Sequence, residues 1–271
     1  MAERIAGERF GGTGAALAFA HDRRDDYAVS RGARAAKRTV DVVVSLALIV
    51  LAAPLMLCIA LVIKLDSRGP ILFRCLRVGT DGRRFRMLKF RKMHTGSRGP
   101  SLTVDGDARF TRVGRLLAST KLDELPQLWN VLSGQMSLVG PRPEDPRFVA
   151  MLPAEYALIL KVRPGLTGYT QLALFDEAAI LDRQDPVAHY VTNLLPKKAA
   201  LDMLYVRKLN VLRDLQIIFW TATATLTRRS VAVNRSTGAI GFRSRPPGGG
   251  TPGRRPATLH PLPARVPKRH D

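Results

Sequence analysis

The longest apolar segment of the chain covers residues 42–63, where only Ser45 and Pro54 interrupt aliphatic and other apolar side chains. A helix rises about 1.5 Å per residue, so this segment is long enough to cross a hydrocarbon core of about 30 Å. Pro54 lies near its centre and should kink or break the helix, because proline lacks the N–H that continues the hydrogen-bond pattern. The pattern therefore predicts a membrane-embedded helix-break-helix over residues 36–66.

Basic residues flank this segment on both sides, namely Arg31, Arg34, Lys37 and Arg38 before it and Lys64, Arg68, Arg74 and Arg77 after it. Positive charge marks the cytoplasmic side of a membrane segment, so the two ends compete for the same side. A helix that enters and returns through one leaflet satisfies both ends. A kinked helix that crosses the membrane remains the alternative, because membrane helices tolerate proline.

Two shorter segments, residues 70–74 and 84–91, alternate apolar and basic side chains, which is the pattern of β-strands. Residues 79–82 between them have the composition of a turn, so the pair is predicted to form a hairpin. Its polar positions carry Arg84, Arg86, Lys89 and Arg91. Such cations either face solvent or contact lipid or substrate phosphates.

The next apolar pattern has the spacing of one helix face and comprises Leu125, Leu128, Trp129 and Leu132. Pro126 fits only the first turn of a helix, so this helix should begin near Leu122 or Asp123 and end at Gly134. Asp123 and Glu124 then lie at its N-terminus, where free N–H groups and the helix dipole favour an ionised carboxylate. Asp123 is either a helix cap or an ionised nucleophile or metal ligand, and the helix pattern alone leaves both open.

The remaining pattern predicts an α+β domain that is mostly helical. Residues 136–139 form a brief strand that ends in the rigid turn Gly140-Pro141-Arg142-Pro143, and residues 163–171 form a second rigid turn that presents Arg163. Residues 205–226 are strongly apolar and suit a core or interfacial helix. Residues 1–35 and 231–271 have little to bury and are predicted to be disordered. The predicted organisation is thus a membrane segment over residues 36–66 and a catalytic domain over residues 67–230.

The formal net charge of +21 and the sequence pI of about 11.1 indicate an anionic partner, which could be nucleic acid, acidic lipid or a phosphorylated substrate. Cys58 and Cys75 are the only cysteines, and Cys58 lies inside the apolar segment, so a disulfide framework is not expected. The five histidines are scattered and do not combine with cysteine at zinc-binding spacing.

Several short motifs follow one another in a fixed order between about residues 36 and 228. They are Lys37-Arg38 with Asp41, Gly69-Pro70, Arg77-Val78-Gly79, Lys89-Phe90-Arg91, residues 122–130, residues 136–143, residues 164–168, and Asp202, Tyr205 and Asp214. In this ordered set the chain resembles the bacterial sugar transferases, the monotopic phosphoglycosyl transferases that start polysaccharide and glycoconjugate assembly on polyprenyl phosphate.

The resemblance implies a mechanism. Asp123 would attack the β-phosphorus of a UDP-sugar, UMP would leave, and the resulting aspartyl phosphosugar would pass to polyprenyl (undecaprenyl) phosphate. Asp123 and Glu124 would hold Mg²⁺, and Glu124 would also assist the second attack. The candidate substrate-binding residues are Lys89, Arg91, Pro141, Arg142, Pro143, Arg163 and Gln171. The resemblance also implies the bacterial inner membrane with the catalytic domain on the cytoplasmic face, no nucleic-acid partner, and room for a homodimer.

The chain departs from the usual pattern of that family at several positions. Ala53 precedes Pro54 where many relatives have serine, Gln135 replaces a common acidic residue, Ala118 replaces a basic one, and the Asn-Gly-Arg sequence of some relatives is absent after Gln171. The sugar is therefore not predicted.

Two other classes compete with this interpretation. A membrane-anchored nucleic-acid-binding or scaffold protein would need stacking aromatics among its basic residues, yet the basic tail beyond Arg243 contains none. A polymerising glycosyltransferase would need a paired-aspartate sugar-nucleotide signature, which the sequence lacks.

Overall fold

The computed structural model describes residues 31–99, 102–175, 177–227 and 229–243. Its first element is α1, Arg31–Asp66, a single helix of 36 residues that continues through Pro54. The predicted break at Pro54 is therefore wrong. One missing N–H does not end a helix whose flanking leucines, alanines and methionine continue its hydrogen bonds on both sides. Within the described residues, this is the one helix long and apolar enough to cross a membrane.

One face of α1 packs on the rest of the protein near each end of the helix. Asp41 and Ser45 near its start and Ile59 and Ile63 near its end are buried. The other faces are apolar and exposed, and include Val43, Val50, Leu51, Leu57, Leu61 and Leu65. The helix thus lies along the domain and presents an uncovered apolar surface.

The N-terminal part of α1 is fixed to the domain by polar contacts. Lys37 Nζ donates to the carbonyl of Val139 at 3.0 Å and pairs with Asp214. Asp41 Oδ1 accepts the Ser137 hydroxyl and the Leu138 N–H, each at 3.0 Å. Three of the motif residues singled out in the sequence therefore attach this helix to the domain.

The predicted hairpin is confirmed. Strands β1, Leu72–Val78, and β2, Arg84–Phe90, pair antiparallel, and a 3₁₀ turn at Thr80–Gly82 lies between them. Phe73 lies opposite Lys89. Because directly opposed residues share one face of an antiparallel pair, the Phe73 ring and the Lys89 amine project from the same side.

The remaining elements complete a mixed helix-and-strand domain. They are α2 (Arg112–Thr120), α3 (Gln127–Leu132), β3 (Ser137–Val139), α4 (Pro146–Val149), α5 (Pro153–Ile159), β4 (Gly165–Thr167), α6 (Tyr169–Ala173), α7 (Glu177–Ile180), α8 (Pro186–His189), a π-helical turn (Tyr190–Leu194), α9 (Leu195–Arg207), α10 (Val211–Thr227), β5 (Val231–Val233) and β6 (Ile240–Phe242). Strands β3 and β4 pair in parallel, and β5 pairs antiparallel with β6. Buried side chains of β2, α3, β3, α6, α9 and α10 form the main core.

Two boundaries differ from the sequence prediction. The apolar stretch 205–226 is split between α9 and α10, because Asn210 Oδ1 accepts the Arg213 N–H and starts a new helix. Residues 231–243 are not a tail. Their strands β5 and β6 pair as a hairpin, and Val231 is buried in the core. Three-residue strands are too short to display a period in the sequence. The rest of the predicted tails, residues 1–30 and 244–271, lies outside the described residues.

Candidate active site

Asp123 and Glu124 lie in a 3₁₀ turn, Leu122–Glu124, between α2 and α3. Lys121, in the left-handed region with φ of 60°, ends α2 and reverses the chain immediately before them. Helix α3 begins only at Gln127, with Pro126 in the position before it, so Asp123 is not the N-cap of that helix. Gly134, with φ of +84°, follows α3 as predicted. The capping interpretation of Asp123 is therefore excluded.

The buried side of α3 is rotated from the predicted one. Leu128 is buried as expected, but Trp129 is 51% exposed, and Gln127 and Val131 are buried instead. The helix has only six residues, and its contacts with α1 set its orientation more strongly than its own apolar spacing.

The Asp123 carboxylate is almost fully buried and faces a lysine that the sequence did not single out. Its Oδ2 lies 3.5 Å from Nζ of Lys92, two residues after β2. Burial lowers the pKa of Lys92, and the charge of Asp123 opposes that effect. The distance is long for an ion pair, so the Asp123 oxygens are not committed to a tight hydrogen bond with Lys92.

Glu124 is held by two cations that bind the same oxygen. Its Oε1 accepts from Nζ of Lys89 at 2.8 Å and from Nη2 of Arg142 at 3.1 Å. Burial opposes ionisation of Glu124, but Lys89 and Arg142 outweigh burial and hold the pKa of this carboxyl well below its usual range. Burial likewise opposes the charge of Arg142, and Glu124 raises the pKa of that guanidinium. The site is therefore a charged cluster at neutral pH.

The turn that carries Arg142 is fixed from its backbone. The carbonyl of Pro141 accepts the Gly165 N–H at 2.7 Å, and both Pro141 and Pro143 are buried. The Asp202 carboxyl accepts the Thr170 hydroxyl at 2.6 Å and also interacts with the backbone N–H of Arg142. Burial raises the pKa of Asp202 to about 7. Asp202 thus connects α9 to the turn that positions the guanidinium.

Two predicted phosphate ligands do not contact Asp123 or Glu124, although Arg91 lines the same cavity. The Arg91 side chain is buried and binds the carbonyls of Ile63, Ser67 and Arg68 at the end of α1. Arg163 is exposed and does not line the cavity that contains the two carboxylates. The sequence shows that a strand carries Arg91 and that a turn carries Arg163. It does not show which distant groups their side chains contact.

Gln171 does lie at the site. Its Nε2 donates to the carbonyl of Gly165 at 3.1 Å, and its Oε1 is buried without a hydrogen-bond partner among the described residues. Buried polar atoms are normally paired, so this oxygen marks a position in the site where a donor group is missing.

The cavity around these residues has a volume of about 2650 Å³. Small-molecule sites usually measure roughly 300–1,000 Å³, so this space accommodates more than one substrate. Its polar end is lined by Lys89, Lys92, Asp123, Glu124, Arg142 and Gln171.

The described part of the chain contains no group of three or more His, Cys, Asp or Glu side chains that could hold a metal. Two adjacent carboxylates remain. They suit Mg²⁺, which commonly binds one or two carboxylates and completes its octahedral coordination with water and substrate phosphate. Both cations on Glu124 bind Oε1, which leaves Oε2 without a hydrogen-bond partner among the described residues. The donor set therefore fits this ion.

Residues 32–228 match the family model described as bacterial sugar transferase. The chain belongs to the bacterial sugar transferase family.

Several similar proteins are named for the transfer of a sugar phosphate to undecaprenyl phosphate. The chain is 43% identical to the UDP-glucose:undecaprenyl-phosphate glucose-1-phosphate transferase of Caulobacter vibrioides over 70% of each chain. It is 38% identical to the UDP-N-acetylgalactosamine-undecaprenyl-phosphate N-acetylgalactosaminephosphotransferase of Aeromonas hydrophila, over 70% of this chain and 44% of that protein. It is also 38% identical to the exopolysaccharide production protein PSS of Rhizobium leguminosarum, over 71% of this chain and 96% of that protein. The matched region is thus less than half of the Aeromonas relative and nearly all of the Rhizobium one.

The sugar transferase also has a buried charged network that the sequence analysis missed. Lys198 Nζ lies 3.1 Å from Oε2 of Glu144 and donates to the Tyr190 hydroxyl at 2.6 Å, and the tyrosine donates to the same glutamate. Burial opposes ionisation of Glu144, but Lys198 and Arg77 outweigh burial and lower its pKa. Lys197-Lys198 resembles a solvated pair in the sequence, so nothing local marked Lys198 as buried.

Proposed function

We propose that the protein transfers a sugar 1-phosphate from a UDP-sugar to polyprenyl phosphate and releases UMP. The observation that carries this proposal is the arrangement of Asp123 and Glu124 in the cavity wall beside three cations, Lys89, Lys92 and Arg142. The names of the relatives support it, since the Caulobacter and Aeromonas proteins are named for transfer of a sugar phosphate to undecaprenyl phosphate.

The proposed reaction has two displacements at phosphorus. In the first, an Asp123 carboxylate oxygen forms a bond to the β-phosphorus, the bond from that phosphorus to the bridging oxygen breaks, and UMP leaves with the electron pair. In the second, an oxygen of polyprenyl phosphate attacks the same phosphorus and the aspartyl oxygen leaves. The nucleophile is regenerated, so no oxidant, reductant or net proton carrier is required.

The surrounding cations favour this chemistry because charge accumulates on the phosphoryl oxygens in each transition state. Lys89 and Arg142 are held in place by Glu124, so little reorganisation is needed when the diphosphate arrives. Mg²⁺ bound by Asp123 and Glu124 would neutralise further charge of the diphosphate. The unpaired Gln171 Oε1 is a hydrogen-bond acceptor for a sugar hydroxyl or the base.

We also propose that the protein is monotopic, with α1 held in one leaflet of the bacterial inner membrane and the domain on the cytoplasmic face. Both ends of α1 contact the same domain, through Lys37 and Arg38 at one end and Ser67 and Arg68 at the other. These ends are about 45 Å apart along a straight helix, more than the thickness of a hydrocarbon core. A helix that crosses the bilayer could not have both ends on one aqueous domain.

The transfer is tested by incubating purified protein with Mg²⁺, a panel of UDP-sugars and polyprenyl phosphate, and measuring UMP release. Release should depend on one or a few of the UDP-sugars and should disappear in Asp123→Asn. Arg163→Ala, which changes an exposed cation outside the cavity, is the matched control and should retain the rate. No release with any UDP-sugar from folded protein would refute the proposal.

The topology is tested with single cysteines placed before Lys37 and after Lys64, in a background lacking Cys58 and Cys75. Both should resist an impermeant thiol reagent in intact cells and react after lysis. Labelling of either one in intact cells would show a helix that crosses the membrane.

A further inference from the structure

The cavity that contains the carboxylates continues away from them as an apolar groove. Three elements line this part of it: the middle of α1, strand β1 and helix α10. The apolar lining residues are Leu48 and Ala52 from α1, Phe73 and Cys75 from β1, and Ile218 and Ala222 from α10. We call this part of the cavity the apolar groove.

The groove begins next to the charged cluster. Phe73 is directly opposite Lys89 in the hairpin, and Lys89 Nζ contacts Glu124. Opposed side chains in an antiparallel pair have their Cβ atoms roughly 5 Å apart. The Phe73 side chain is 55% exposed although it is a large aromatic ring. The apolar groove therefore begins at Phe73, directly beside Lys89 of the charged cluster.

The other end of the groove meets the membrane helix. Leu48 and Ala52 lie on α1, beside the strongly exposed Leu51, which also lines the cavity. A hydrocarbon chain could therefore extend from the apolar surface of α1 to the charged cluster within one cavity, because residues of both line it. This combination of a cationic end and an apolar channel matches an amphiphile that has a phosphate head.

We propose that the apolar groove binds the first isoprene units of polyprenyl phosphate and so directs its phosphate toward the cluster at Lys89 and Asp123. The proposal rests on the proposed function and extends it by assigning the acceptor subsite. A prenyl chain moves from one apolar environment to another when it leaves the bilayer for the groove. The groove therefore acts chiefly by orienting the acceptor, which raises the effective concentration of its phosphate oxygen at the reacting phosphorus.

The test uses water-soluble acceptors so that partition into a membrane does not obscure the result. Prenyl phosphates of one, two and three isoprene units are compared in detergent-free buffer or at fixed, low detergent. The wild type should use the three-unit acceptor at least tenfold more efficiently than the one-unit acceptor. In Phe73→Ala and in Ala222→Trp, that advantage should fall to threefold or less. Ala222 is exposed, so the indole fills the groove without entering the core.

The matched control is Phe219→Ala, which removes an exposed aromatic side chain of α10 that does not line the cavity. Its chain-length advantage should equal that of the wild type. Exchange of labelled UMP into the UDP-sugar, measured without acceptor, reports the first displacement alone. If exchange occurs but the wild type shows no chain-length advantage, or both groove variants retain it, the groove assignment is refuted while the proposed function stands. A wild type without exchange refutes the covalent mechanism itself, and that outcome is distinct from failure of the groove.

Discussion

Arg91 was predicted from its strand to bind substrate phosphate, but its contacts assign it to the end of α1. The side chain is buried, and its Nη2 donates to the Ser67 carbonyl at 2.7 Å, the Ser67 hydroxyl at 3.0 Å and the Ile63 carbonyl at 3.4 Å. Its Nη1 donates to the Arg68 carbonyl and to the Thr95 hydroxyl, the latter at 3.0 Å. Ile63 lies in the last turn of α1, and Ser67 and Arg68 follow its end, so Arg91 binds the carbonyls where the chain leaves the helix, and its charge suits that end of the dipole.

Arg91→Lys retains the charge but replaces a planar fork with a single amine, which can satisfy about two of these acceptors. Hydrogen bonds to charged groups contribute about 1.5–3 kcal/mol each, and their contributions are not additive. We therefore expect a loss of about 3–5 kcal/mol in the free energy of unfolding. For a domain of this size that loss lowers Tm by roughly 10 °C.

The assay is thermal unfolding of wild type and Arg91→Lys in one detergent, combined with KM for the UDP-sugar below the lower Tm. The variant should unfold early while its KM remains within twofold of the wild type. Arg163→Lys is the matched control, since it changes an exposed arginine outside the cavity and should alter neither quantity. An Arg91→Lys protein of normal Tm and strongly raised KM would contradict this assignment and restore the phosphate-binding role.

Three further predictions follow from single contacts. Gly114→Ala should lower Tm by several degrees and impair turnover, because the added Cβ would lie 1.9 Å from the backbone carbonyl oxygen of Lys92. Gly32→Ala is the control, because a Cβ at Gly32 has no atom within 4 Å, and it should change neither Tm nor turnover. Asp202 has a folded pKa of about 7 against 3.8 in a model compound, so its contribution to stability is greatest below about pH 4 and is lost as pH rises toward 7. Asp202→Asn should therefore remove up to about 3 kcal/mol of pH dependence between pH 5 and 8, measured as the change of Tm over that range. Arg142→Ala should lower kcat/KM for the UDP-sugar about 100-fold, and the control Arg163→Ala should not. Equal losses in the two variants would show that turnover depends on the total charge of the protein and not on the position of Arg142.

Local patterns predicted the parts of the molecule that depend on near neighbours. The alternating residues on either side of the turn at residues 79–82 specified the β1–β2 hairpin, because strand period and turn composition are both short-range. Pro126 was expected to lie in the first turn of a helix beginning near Leu122 or Asp123, but α3 begins at Gln127 and the two carboxylates lie in the 3₁₀ turn just before it. The α+β class followed from these elements.

Contacts between distant segments were beyond the reach of those patterns. The role of Arg91 depends on the end of α1, more than twenty residues away, and Lys198 contacts Glu144, Glu177 and Tyr190, which all lie outside its own helix. Strand β5 has only three residues, so no period marks it, and it was assigned to a tail. Pro54 was predicted to break the membrane helix, but the helix-forming residues around it keep the helix continuous.

The central claim is that Asp123 forms a covalent phosphosugar, and the most direct measurement is the mass of the peptide that contains it. Folded enzyme is incubated with Mg²⁺ and UDP-sugar but no polyprenyl phosphate, quenched in acid, digested and analysed by mass spectrometry. The account predicts one added phosphosugar on Asp123, released when polyprenyl phosphate is supplied before quenching, and no addition in Asp123→Asn. Turnover with an unmodified Asp123 peptide and no exchange of labelled UMP would contradict it, and would indicate direct attack by the lipid phosphate with both carboxylates serving only the metal.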